Sequence, residues 1–169
     1  MPPYRELQQA RDWVQREFSG IPDDHFRVTS DPGPYNCIAW AAEDTARWWW
    51  PTFGRYWPLP PVPLLDTVDA FVAAFRTLRY QPCNFDESIE PGYDKVAIYA
   101  KFPDSVKHMA RQTKDGAWPW TSKLGQKYDI QHKSLADVEG ATYGQAVQIL
   151  RRPQRRLSVV KRRPTRRRR

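Results

Sequence analysis

The chain has 169 residues, length for one domain with a single sizeable core, and aromatic residues make up 14 % of it, eight of them tryptophans. No run of about eighteen apolar residues occurs, which excludes a membrane-spanning helix. The net charge of +8 is local: eleven Lys and Arg fall in residues 151–169 without one acid, which leaves residues 1–150 at −3, so any affinity for nucleic acid is expected in the tail and not in the body.

The N-terminus, MPPYRELQQARDW, lacks a charged-then-apolar leader pattern, and cytoplasmic location is the expectation, with export as an effector left open. Leu7, Ala10, Val14 and Phe18 recur at helical spacing and predict a helix over residues 4–18, ended by Gly20 and Pro22. Residues 21–35, punctuated by Pro22, Asp31, Pro32, Gly33 and Pro34, read as a loop. Asn36 is a good N-cap for a second helix over about 36–48, stopped by Pro51. The Trp- and Pro-rich stretch WWWPTFGRYWPLPPVP reads as an ordered aromatic loop, most of it packing over the core, with a binding groove as the other use of such a patch.

Residues 66–79 give the cleanest helix, capped by Asp66 or Thr67, with a stripe of Val68, Phe71, Val72, Phe75 and Leu78. A loop carrying Cys83 follows. The period then changes from 3.6 to 2: KVAIYAK, VKHMARQ, WTSKL, KYDIQH and YGQAVQILRR predict strands, with an Asp115-Gly116 hairpin turn and a one-turn helix at SLADVEG. Helices first and an antiparallel sheet after is the α+β order. The expected division is a domain over residues 1–153 and a basic, disordered tail over 154–169, rich in like charge and poor in apolar groups. That tail is expected either to make a weak contact with nucleic acid or to serve as a solubilising terminus.

Two cysteines without a leader argue against a disulfide; Cys37 and Cys83 would pair only in an exported protein. His25, His108 and His132 lie far apart in sequence with no metal-ligand spacing, so neither metal nor cofactor is expected. Cys37 at the head of a helix is a different matter. Free amides and the helix dipole there favour a thiolate, and a strand histidine, His108, is placed to share its proton. The hairpin brings Ser122 and Lys123 roughly opposite His108.

In this order of parts the chain resembles the papain-like cysteine hydrolases, particularly the compact NlpC/P60-like members. More narrowly, YNCIAWAA, VAIYAK, HMARQ, WTSKLG, DIQH and EGATYG are similar to a bacterial domain family with NC-IAWA and W-SKLG signatures. The resemblance implies Cys37 as nucleophile, His108 as base and Ser122 as the residue orienting it, with Asp129 and His132 as alternative orienting residues. Asp31 stands where those enzymes often carry a glutamine of the oxyanion hole, so Asn36 or Tyr35 would serve with the Cys37 amide. Lys123 reads as a solvated strand residue or as a cation holding an acidic substrate group; Cys83, His25 and His132 also have plain structural readings. Two functions follow: a hydrolase or acyltransferase acting on a peptide, protein or other amide substrate, or an inactive scaffold that binds a protein or nucleic acid through its Trp-rich loop and tail.

Overall fold

The computed structural model describes residues 4–30, 33–58 and 61–155. Its centre is a seven-stranded, wholly antiparallel sheet. The strands are β1 (Phe26–Ser30), β2 (Gln81–Cys83), β3 (Tyr93–Lys101), β4 (Ser105–Gln112), β5 (Trp120–Lys123), β6 (Asp129–His132) and β7 (Gln145–Pro153). They lie in the order β1-β6-β5-β4-β3-β7-β2. Among the described residues three α-helices accompany the sheet: α1 (Tyr4–Glu17), α2 (Cys37–Ala41) and α3 (Val68–Arg76), with a 3-10 turn at Leu135–Val138. This is the expected α+β class.

The sheet is covered on both faces, not on one. Along β3, Val96 and Ile98 face a cluster with α2, α3, Trp49 and Trp57, while Ala97 and Tyr99 face a second cluster with Val14 of α1 and Phe18 just after it. Side chains alternate across a strand, so the continuous apolar run in VAIYA fills both layers. Full burial of such side chains is worth about 1.5–3 kcal/mol each.

Two predicted loops are strands. FRVTS pairs with β6 as an edge strand, and QPC pairs with β7 at the other edge, where Pro82 costs no central ladder bond. Both are short and flanked by Pro or Asp, which masks their period. The second helix is much shorter than predicted. It ends at Ala41, the Asp44 amide bonding back to the Ala39 carbonyl and the Glu43 amide to that of Trp40. Glu43 takes φ +61°, the left-handed position usually filled by glycine. A glutamate there carries no stop signal, so the apolar pattern overran the true end.

The Trp-rich loop divides by residue. Trp49 and Trp57 are buried in the core, whereas Trp48 and Trp50 line an open groove and Phe53 is fully exposed. Of the expected basic tail, residues 156–169 lie outside the described residues. Arg151 and Arg152 belong to β7, where they pair with Glu90 and with Glu43 and Asp94. The first of the eleven basic residues are therefore structural. No helix among the described residues is long and apolar enough to cross a membrane.

Candidate active site

β4 and β5 pair only through Arg111–Thr121 and Gln112–Trp120. Beyond those pairs the two strands part, and the start of α2 lies against both. Arg111 holds α2 there, donating to the Trp40 carbonyl at 3.0 Å with its guanidinium 4.2 Å from the Trp40 ring centre. Asn36 caps the helix through its side-chain oxygen, which accepts from Ala39 and from Trp49, while its amide nitrogen donates to the Trp49 carbonyl at 2.7 Å. Asn36 is thus a staple between α2 and the Trp-rich loop, with both ends of its side-chain amide engaged.

Cys37 approaches β4 from the α2 side. The amides of Met109, Ile38 and Cys37 itself are turned toward its sulfur, yet burial outweighs them and pushes the thiol up to about 11. The expected low-pKa thiolate is corrected: five helical residues carry little dipole, and a side chain that is only 6 % exposed loses the solvation an anion needs. The ground state at neutral pH is the thiol.

His108 lies fully buried on the other side of β4, one residue before Met109. Its Nε2 is 3.0 Å from Ser122 Oγ, which is 2.9 Å from His132 Nε2, and His132 Nδ1 is 2.7 Å from the Ser134 carbonyl. The proton directions follow from the last link. A carbonyl only accepts, so His132 carries its proton on Nδ1 and accepts on Nε2 from the Ser122 hydroxyl. Ser122 Oγ then accepts from His108 Nε2–H, which leaves His108 Nδ1 bare, and that nitrogen is buried without a hydrogen-bond partner. Ser134 is fixed in turn by Asp137, whose carboxylate takes the Ser134 and Lys133 amides.

Ser122 thus bonds the His108 ring, the contact that the expected orienting role requires. His132 is not an alternative to it but the next link in the same chain, a role the sequence hid because Ser122 and His132 become neighbours only when β5 and β6 pair. Asp129 is corrected as an orienting residue: it accepts from Tyr35 Oη at 2.8 Å and faces Lys123 Nζ at 3.3 Å. Lys123 is corrected as a solvated or substrate-holding cation, since it is fully buried and also donates to the Lys127 carbonyl. Its field still favours ionisation of Cys37. Tyr35 is buried, stacked on Trp40, and its hydroxyl donates to Asp129. His25 bonds Asp137 and Cys83 is a free, half-buried thiol donating to the Ile149 carbonyl, so both take their structural readings.

Sequence reasoning missed Tyr143. Its ring stacks on His108 at 4.0 Å between centres and 9° between planes, and it lines the groove that holds Cys37. Gly144 permits this placement: at φ +77° a Cβ would lie 2.1 Å from the Ala100 carbonyl oxygen, so only glycine lets the chain pass.

A protein-family model described as Domain of unknown function (DUF7689) matches residues 27–151. The chain belongs to that family. No curated protein and no solved structure matches it. The DUF7689 span runs from β1 to β7 and contains Cys37, His108, Ser122, His132 and Tyr143, leaving α1 outside.

The two buried imidazoles of this domain predict a pH dependence. Burial holds His132 down to about 4 and His108 well below its ordinary value. In the unfolded chain each takes a proton near pH 6.5, so below that pH the unfolded state binds more protons. Stability present above about pH 6.5 should fall toward pH 4 by about 1.4 kcal/mol per pH unit for each histidine. Urea midpoints measured from pH 7.5 to 4.5 should show this slope, and a flat profile would mean that the rings are solvated.

Proposed function

We propose that the protein is a papain-like thiol hydrolase or acyltransferase, acting on an amide, isopeptide or thioester bond with Cys37 as nucleophile and His108 as base. The observation that carries this reading is the bare Nδ1 of His108. It is the acceptor end of a fixed chain, His108–Ser122–His132–Ser134, on the residue next to the amide turned toward the Cys37 sulfur.

Both groups start neutral. In the resting fold the Cys37 sulfur makes no hydrogen bond to Nδ1, and Tyr143 covers the His108 ring, so the step begins with a movement of Tyr143 and of the Cys37 side chain that brings the sulfur to Nδ1. The thiol proton then passes to Nδ1, and the S–C bond forms as the carbonyl becomes an oxyanion. The amides of Cys37, Ile38 and Met109, released from the sulfur, are the donors for that oxygen. The imidazolium keeps its Nε2–H on Ser122 and gives the Nδ1 proton to the leaving nitrogen as the C–N bond breaks, which leaves a thioester. Water, or an amine in a transfer reaction, then attacks; His108 takes its proton and returns it to sulfur as the C–S bond breaks.

A second reading, a binding scaffold without catalysis, is favoured by the raised thiol pKa, by the full burial of His108 away from the groove and by the absence of a Cys37–His108 hydrogen bond. Intact-mass analysis after exposure to p-nitrophenyl acetate separates the two. The enzyme predicts an acetyl adduct on Cys37 in preference to Cys83, lost in His108→Gln. Acetylation of Cys83 with none on Cys37, in a folded protein, would leave the scaffold reading.

A further inference from the structure

The groove beside Cys37 has a volume of about 330 Å³, at the small end of the range for ligand sites. Its walls are apolar and flat, formed by Trp48, Trp50 and Tyr143. One charged side chain, Lys107, joins them, and its place is set by the sheet. Tyr99 pairs with His108 and the next residue, Ala100, with Val106, so Lys107 is the extra residue of a β-bulge. A bulge re-aims the side chain it carries. The next β4 residue after it is His108, so the bulge ties the cation to the base.

The Lys107 side chain makes no ion pair or hydrogen bond among the described residues. Lys123, by contrast, is paired with Asp129, and Lys133 bonds Asp24. Lys127 is also without an ion pair among the described residues, but it is exposed and outside the groove lining, which Lys107 joins. The body of the chain is acidic overall, at −3 over residues 1–150, so acids to pair with are not scarce. A cation left open on the rim of an aromatic groove has the chemistry to take a carboxylate on a ligand whose apolar part lies against the indoles.

We infer that the groove binds small carboxylates with an adjoining aromatic or branched apolar group, Lys107 selecting for the anion. Where the thiol-enzyme reading holds, on which this last step rests, such a molecule is the acyl substrate, its carboxylate beside the bond attacked by Cys37. A carboxylate with no apolar group, or an apolar amide with no charge, satisfies only half of the groove.

The full chain titrated with phenylacetate and with its neutral isostere phenylacetamide, followed by tryptophan fluorescence and by NMR shifts, tests this without any chemistry at Cys37. Phenylacetate should bind roughly fivefold more tightly, the scale of one partly solvated charge contact. Lys107→Gln should erase the difference, and raising the salt concentration should narrow it in the wild type only. Trp50→Ala should weaken both ligands together. Equal affinity for the two ligands, no binding of either, or a preference that survives Lys107→Gln would overturn the inference. A phenylacetate preference without an acyl adduct on Cys37 would support the anion site while removing the enzyme reading; an adduct with equal affinities would do the reverse.

Discussion

Cys37→Ala and His108→Gln are each expected to lower turnover of an activated ester by about 10²–10⁴-fold, and the double variant by little more. The two groups act on one proton, so removing either disables the same step. Glutamine is the informative replacement for His108. Its amide nitrogen can still donate to Ser122 Oγ, whereas alanine would leave a buried hole and an unpaired hydroxyl in a site that is fully enclosed, at a cost of about 2–5 kcal/mol. Circular dichroism and a melting curve check that each variant is folded before its rate is read. Cys37→Ser should fold and be nearly inactive, because an alcohol is far less acidic than a thiol. A Cys37→Ala variant that melts many degrees lower yet turns over normally would return Cys37 to the core.

Lys123→Met is expected to destabilise the protein by about 3–5 kcal/mol, because it leaves the enclosed Asp129 without its cation. The two residues are directly opposed on β5 and β6, 3.3 Å apart, at 0 % and 1 % exposure. Taking both charges out of water is costly, so the pair is not a large net source of stability; breaking it is what costs. Lys123→Met with Asp129→Leu should therefore recover most of the loss, short of the hydrogen bond that Tyr35 gives Asp129. Urea unfolding of the two single variants and the double would measure this. A single-variant cost below about 1 kcal/mol would mean that the pair is hydrated.

The pattern of the chain by itself determined the α+β class, the helices over residues 4–18 and 66–79, the Asp115-Gly116 hairpin and the strands that carry His108 and Ser122. These rest on local signals, a period of 3.6 or 2 and turn residues between, and local signals are written in consecutive residues. It also determined Cys37 and Asn36 at the start of a helix, since capping is a matter of a few residues. Tertiary structure decided the rest. The ends of α2 and the strands β1 and β2 depend on partners distant in sequence. The His108–Ser122–His132 chain exists only because three strands pair in one register, and Tyr143 reaches the site because Gly144 passes Ala100. The thiol's pKa turned on burial, which no spacing reveals: a helix start favours a thiolate, but here the removal of water was the larger effect.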